Sequence, residues 1–413
     1  MKEDWRIVEL GEVCYVKGGK RLPKGHDLLE TVTNHKYIRA RDIKNGKINF
    51  DQPVFVNEKT FESISRYIVN SGELIITIVG ANIGDVAYVT DEFHKANLTE
   101  NAVKLIADNR KTDSLFLKYA LVPDYMKYYF QTVASGAAQD KLGLYKIKKV
   151  KINLPPLPTQ RKIATILSAY DDLIENNLKR IKLLEEKAQL TYEEWFVRLK
   201  FPGYETTVID EETGLPEGWE KVKLSQIAEF LNGYAFKPND LGERGKPVIK
   251  IKEMKNGVVN DTPRNSGDTI PSKYLVENGD ILFSWSATLE VVIWKFETGL
   301  LNQHLFKVTP KNGYGKSYVF LSNRNSLPIF DGLTTGATMK HIKRKELDFI
   351  KLNEPPQNIM DDFEKEVYPT ITKVLNFSKQ NHLLNEARDI LLPRLMTGMI
   401  DVEELDVKLE AIR

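Results

Sequence analysis

The sequence predicts an α+β protein: two mixed α/β domains joined by two long antiparallel coiled-coil helices, with an internal pseudo-two-fold repeat. Three observations carry this. Five blocks of the first half recur in order in the second half, about 200 residues later. Each copy closes on a proline-rich stop. After each stop comes a long segment whose apolar residues alternate three and four positions apart, the signature of a helical seam.

The blocks are explicit. Trp5-Arg6-Ile7-Val8-Glu9-Leu10 is echoed by Trp219-Glu220-Lys221-Val222-Lys223-Leu224. Residues 37–46 match 248–257, and Ser71-Gly72-Glu73-Leu74 matches Asn278-Gly279-Asp280-Ile281. Residues 98–105 parallel 301–308, and Ser135-Gly136-Ala137 parallels Thr335-Gly336-Ala337. A period this long denotes duplicated domains rather than a solenoid. Within each copy, short runs rich in Val, Ile, Tyr and Phe are broken by Gly, Asn and Asp and read as strands and turns. The clearest strands are 74–79 and 280–285, and a helix is predicted over 114–130. The stops are Leu154-Pro155-Pro156 and Glu354-Pro355-Pro356. The predicted organisation is therefore a first domain over 1–155, a long helix over 156–203, a second domain over 204–355, and a second long helix with its tail over 356–413.

From Thr159 to Lys200 there is neither Gly nor Pro, and Ile163, Leu167, Tyr170, Ile174, Ile181, Leu184, Ala188 and Trp195 form the seam. About 40 residues give roughly 60 Å of helix. The second helix is predicted from Asn358 to Leu392, with Phe363, Val367, Val374, Phe377 and Leu384 in its seam, a kink or break at Pro369 and a stop at Pro393. Each seam carries one asparagine, Asn177 and Asn381, and a lone polar seam residue costs stability but fixes register. A 3.5-residue period selects a helical partner, so pairing is favoured over separate packing of each helix on its own domain. Two heads on one rod suit a reader of two separated DNA half-sites.

A net charge of +2 over 413 residues argues little by itself. Its distribution says more: nine basic residues against three acidic ones lie between Lys17 and Lys47, and five lysines against one aspartate between Asp140 and Lys151. Such clusters suit phosphates as well as a plain solvated surface. One cysteine, Cys14, leaves no internal disulfide and fits a reducing cytoplasm. No apolar run is long enough to span a membrane.

Catalytic motifs fail on inspection. Asn153-Leu154-Pro155-Pro156 and Asn353-Glu354-Pro355-Pro356 carry an inserted residue and lack the aromatic of an amino-methyltransferase loop. Gly315-Lys316-Ser317 has Pro310 where a phosphate loop needs its first glycine. Glu253-x-Lys255 is a short, common nuclease-like pattern, and its parallel position in the first copy is read as Lys44-Asn45, without the acid. The six histidines show no metal-ligand spacing, so no metal site is expected. The expectation is a binding protein with no catalytic residue of its own. A stand-alone DNA-binding protein and a nuclease with an unrecognised site remain the rival readings.

The helices resemble a known family. Asp171-Asp172-Leu173-Ile174-Glu175-Asn176-Asn177-Leu178, running on to Tyr192-Glu193-Glu194-Trp195-Phe196, is similar to the central conserved region of type I restriction-modification specificity subunits. Ala387-Arg388-Asp389-Ile390-Leu391-Leu392-Pro393-Arg394-Leu395-Met396-Thr397-Gly398 resembles their C-terminal conserved region, and Gly218-Trp219-Glu220-Lys221-Val222-Lys223-Leu224 the opening of their target-recognition domains. The resemblance implies that each domain reads one half of a bipartite site in double-stranded DNA. It implies that the helices set the spacer and dock two methyltransferase subunits. Restriction subunits join the full complex, and S-adenosylmethionine, ATP and Mg are bound by the partners, leaving no cofactor in this chain.

Base reading needs Arg, Lys, Asn or Gln at a groove edge, while phosphate contacts only position the protein. In the first domain the candidates are Lys17, Lys20, Arg21 and Lys24 in one glycine-containing loop, Arg39 and Arg41 on one face of a strand, Asn82, and a patch of Gln139, Lys141 and Tyr145. In the second they are Asn232, Tyr234 and Lys237 in the matching loop, Lys250 and Lys252 opposite the two arginines, Trp285 with Ser286, and Lys340 with His341.

Overall fold

The computed structural model describes residues 4–134, 141–333 and 342–403. Gln139, Lys340 and His341 lie outside the described residues, as does the fifth repeat block. The chain divides into two units: Met1–Leu173 with Leu384–Arg413, and Ile174–Leu383.

Each unit is built on the same frame. In the first, strands Cys14–Gly18, Ala102–Ala107, Leu74–Thr77 and Val86–Tyr88 form one antiparallel sheet in that order. In the second, Ala228–Asn232, Leu305–Pro310, Ile281–Ser284 and Glu290–Ile293 repeat it. The central strands read as continuous apolar runs because both faces are covered: Leu74, Ile75, Ile76 and Thr77 are all buried, as are Ile281, Leu282, Phe283 and Ser284. A smaller sheet accompanies each. His35–Ile38 lies parallel to Asn97–Leu98, and Lys246–Ile249 lies parallel to Gly299–Leu301. A two-stranded ribbon joins the first strand of each unit to the strand before its proline stop, Arg6–Glu9 with Lys151–Leu154 and Glu220–Lys223 with Lys351–Glu354.

The helix predicted over 114–130 is two helices, Ser114–Leu121 and Asp124–Ala134. Pro123 separates them, since it has no N–H to continue the first. The long helices are Leu157–Tyr192 and Gln357–Met396. The second runs through both Pro369 and Pro393 without a break. Both prolines are exposed, as are Lys365 and Asp389 four residues earlier, so the carbonyls deprived of a donor can be satisfied by water.

Within each unit the two helices run antiparallel. In the second, Asn177 Nδ2 donates to Asn381 Oδ1 at 3.0 Å, and Lys187 pairs with Glu366 at 2.9 Å. In the first, Arg388 pairs with Asp171 at 2.9 Å, and Lys162 Nζ reaches the carbonyl of Glu403 at 2.8 Å. Both asparagines are buried, and longer contacts run from Asn177 Nδ2 to Gln380 Oε1 at 3.4 Å and from Asn381 Nδ2 to Ile174 O at 3.5 Å. Replacing Asn177 by Ala is expected to cost the second unit about 1–3 kcal/mol, because Asn381 Oδ1 loses its donor. Replacing both by Leu should recover that loss. Thermal unfolding of the single and double variants checks this, and equal losses in both would deny the coupling.

Candidate nucleic-acid interface

Four turns converge at one corner of each unit. In the first, Gly19 N–H donates to Ala102 O at 3.0 Å and Lys20 N–H to Leu98 O at 2.9 Å. This presses the 18–24 turn onto the 98–101 turn. The approach demands glycine, since a Cβ on Gly19 would stand 2.0 Å from Thr99 O. Ile78 N–H donates to Asn101 O at 2.8 Å, and Leu142 N–H to Ile78 O at 3.0 Å. These bonds bring in the turn holding Asn82 and the segment holding Lys141, and Val79 bridges to Lys141. Tyr145 follows on the short helix Leu144–Lys148 and is exposed.

The second unit repeats the corner with other side chains. A Cβ on Gly233 would stand 2.2 Å from Asn302 O. Tyr234 N–H donates to Leu301 O at 2.8 Å, and Gln303 N–H to Tyr234 O at 3.0 Å. Trp285 Nε1 donates to Asn232 Oδ1 at 3.0 Å, and its ring lies 5.8 Å from that of His304. Ser286 Oγ is 3.3 Å from His304 Nδ1, and Ile342 N–H donates to Trp285 O at 2.9 Å.

The structure thus brings Lys20, Arg21, Asn82 and Lys141 around one corner, and Asn232, Tyr234, Trp285 and Ser286 around the other. It also adds residues that the sequence reading passed over. Glu100, which pairs with the highly exposed Arg21 at 3.5 Å, and Asn101 belong to the first corner, and Asn302, Gln303 and His304 to the second. The available signal was the repeat block itself, because residues 99–101 and 302–304 follow its matched leucines.

Other candidates are engaged elsewhere. Lys17 stands on the strand Cys14–Gly18 rather than in the turn, facing out. Lys24 is exposed at the far end of that turn. Arg39 and Arg41 do not share a strand face, since the strand ends at Ile38. Arg39 precedes the one-turn helix Ala40–Asp42 and forks onto Asp42, with Nε at 3.0 Å and Nη2 at 2.9 Å. Arg41 reaches Gln52 Oε1 at 3.2 Å. Lys250 likewise precedes the helix Ile251–Asn256, where Glu253 accepts its backbone N–H at 3.1 Å, and Lys252 pairs with Asp261 at 2.8 Å. Lys237 caps the turn Pro238–Asp240 through Asp240.

The near-motifs have structural employment. Asp42 and Glu253 are matched, buried caps, so the acid of the nuclease-like pattern is present in both copies, contrary to the reading that the first copy lacks it. The helix Lys316–Asn325 has the Glu364 carboxylate at its start, accepting Tyr318 N–H at 2.9 Å where a phosphate loop would bind its anion. Burial holds the Glu364 carboxyl above its ordinary range. Asn353 Nδ2 donates to Phe196 O at 2.7 Å, tying the second proline stop to the central helix. Burial pushes the Cys14 thiol up to about 12, and its Sγ–H donates to Leu10 O. That keeps it protonated and inert. No group of three or more His, Cys, Asp or Glu able to hold a metal occurs among the described residues.

Residues 2–186 and 216–386 match the model of the type I restriction modification DNA specificity domain. The type I restriction enzyme MjaIX specificity subunit of Methanocaldococcus jannaschii is 27% identical over 98% of this chain and 95% of its own. The HindI specificity subunit of Haemophilus influenzae is 22% identical over 96% of this chain and 100% of its own. The crystal structure of a type I restriction-modification S subunit from M. genitalium shares the fold, with a TM-score of 0.60 at 17% identity over 95% of this chain and 96% of that one. The matched regions cover most of the chain and follow the internal repeat, so the protein belongs to the type I restriction modification DNA specificity domain family and carries that domain twice.

Proposed function

We propose that this chain is the specificity subunit of a type I restriction-modification complex, each repeat reading one half of a bipartite site in double-stranded DNA. The carrying observation is the duplicated corner: the same four-turn frame in both units, furnished with cationic side chains in one and with amide and aromatic side chains in the other. One frame with two chemistries suits two different half-sites. The chain itself is read as non-catalytic and free of cofactor. Methyltransferase subunits that bind S-adenosylmethionine, and restriction subunits that use ATP and Mg, would supply the chemistry.

The long helices support the docking role. Leu173, Leu178, Leu183, Leu190, Leu383 and Ile390 are each more than half exposed, a density of apolar side chains on paired helices that marks a protein interface. Each helix also passes from one unit into the other, which suits an element that sets a spacer. No helix among the described residues is long and apolar enough to cross a membrane. A cytoplasmic location fits the reading.

The test is to express the chain with its methyltransferase and map methylated adenines across the host genome. A bipartite motif with a fixed spacer is expected. Inserting one heptad into both helices should lengthen the spacer and leave both half-sites unchanged, and altered half-site bases would refute the division of labour. In the assembled complex, replacing Lys20 and Arg21 by Ala should weaken binding through one half-site. It should also flatten the slope of log K against log salt by about 1–2. The Arg21–Glu100 pair places the change at the lower end.

A further inference from the structure

The two units differ at one matched place behind the sheet. In the first unit it is filled by a polar cluster. Lys118 Nζ lies 2.6 Å from Asp171 Oδ2, Tyr119 OH donates to the same oxygen at 2.8 Å, and Arg388 Nη1 donates to Asp171 Oδ1 at 2.9 Å. The repeat registers these positions on the second unit. The residues before the two sheet-packing helices, Asp113 and Gly315, place Lys118 and Tyr119 opposite Phe320 and Leu321. The two proline stops place Asp171 opposite Ile371, and Arg388 opposite Ala188.

All four second-unit residues line a cavity of about 400 Å3. The groups that close the first unit have been replaced by smaller or apolar ones, and the space stays open. Its remaining wall is largely apolar, including Val291, Ile293 and Val374. Protein interiors seldom leave voids much larger than a water, and apolar cavities favour apolar ligands over water. The volume falls within the usual range of small-molecule sites, about 300–1,000 Å3, and so does the pattern of apolar walls with few polar groups.

Those polar groups set the ligand class. Lys255 and Glu290 pair with each other at 3.4 Å. Arg324 lines the cavity, is half-buried, and has no ion pair among the described residues. Glu185 and Lys295, also on the wall, add one charge of each sign, and Thr370 adds a hydroxyl, so the excess of one positive charge suits a single carboxylate in the ligand. We propose that the second unit holds a binding site for a small apolar monocarboxylate, its carboxylate on Arg324 and its apolar body against Ile371 and Leu321, and that the first unit has no such site.

The full-length chain is titrated with phenylbutyrate and, as an uncharged match, phenylbutanol, by calorimetry and by the shift in Tm. Saturable binding of phenylbutyrate is expected. Arg324→Gln should weaken phenylbutyrate by about tenfold or more while leaving phenylbutanol within about twofold. Ala188→Phe and Val374→Phe fill the cavity from two helices, and each should abolish binding of both compounds; two variants guard against one that fails to fold. Three results would overturn the proposal. One is absence of saturable binding to the wild-type chain. Another is undiminished binding in both filled variants. The third is loss of methyltransferase association in the filled variants without ligand binding, which would make the cavity a socket for a protein partner.

Discussion

Gly233→Ala is expected to cost the second unit about 3 kcal/mol or more and to abolish recognition through one half-site while sparing the other. The added Cβ would meet Asn302 O at 2.2 Å and Leu301 O at 2.7 Å. Both are backbone atoms of a strand end fixed by sheet pairing, so the strain cannot be relieved by turning a side chain. Either the turn lifts away, breaking the Tyr234–Leu301 and Gln303–Tyr234 bonds, or the sheet edge shifts. A loss of that size corresponds to about 6–12 °C in Tm for a unit near 200 residues. Calorimetry of the chain reads the first effect. Methylation mapping reads the second, as sites that keep one half and lose constraint in the other. Gly19→Ala, with its Cβ at 2.0 Å from Thr99 O, should do the same to the opposite half. A melting point unmoved by either change would show that the turns are not pressed together as described.

Asp171→Ala is the second large effect, expected to destabilise the first unit by about 3 kcal/mol. It strands Lys118, whose charge is held largely out of water at the helix junction, and leaves Arg388 only Asp389 as a partner. Removing one partner of such a group costs more than the pair contributes when intact. Burial alone would raise the Asp171 carboxyl, but Lys118, Arg388 and Tyr119 outweigh it and hold it below the ordinary carboxylate range. A depressed carboxylate contributes stability that is present above its unfolded value, about 4, and lost as pH falls through the folded value. Acidification below pH about 4 should therefore lower the stability of the first unit. The second unit has Ile371 and Ala188 at the matched positions and so lacks this contribution, although Asp210 and Asp261 there are also held below the ordinary carboxylate range by backbone N–H groups and by Lys252 respectively. Urea titrations at several pH values in the wild-type and Asp171→Ala chains check the sign: the variant should lose stability less steeply than the wild type as pH falls below about 4.

Much of this architecture could be read before any coordinates. The repeat predicted two copies of one frame, and the main four-stranded sheet and its two-stranded ribbon recur in the same order, while the smaller sheet has three strands in the first unit and four in the second. The seam residues predicted the helices, because a period of three and four is a property of the segment itself. What failed was non-local. Pro369 and Pro393 look like helix breakers in sequence, but each lies on the exposed face of the helix, where water can take up the carbonyl that its missing N–H leaves free. Arg39 and Arg41 alternate like strand residues, yet Asp42 draws Arg39 into a capping turn. Glu100, Gln303 and His304 become neighbours of the candidate corners only through a glycine pressed onto a carbonyl some 70 to 80 residues away in sequence, and no local pattern announces such a contact. The Asn82 and Trp285 segments could be read as turns between strands, the places where recognition residues are usually carried, and the structure has them as turns at matched corners.

The first unit is assembled from both ends of the sequence, Met1–Leu173 with Leu384–Arg413, while the second is one unbroken stretch. Leu395 and Met396 belong to the buried core of the first unit, and Lys162 holds the carbonyls of Val402 and Glu403. On the ribosome, the part that emerges first is therefore the last to be completed. At about 5–20 residues per second, the segment bearing Lys162 waits on the order of ten to fifty seconds for its closing helix, and the core that holds Ile163 and Leu167 lacks Leu395, Met396 and Val402 meanwhile. The second unit has no such wait. The duplicated protein thus begins life with its halves unequal, and chaperones that shield nascent apolar segments should engage the first half for longer.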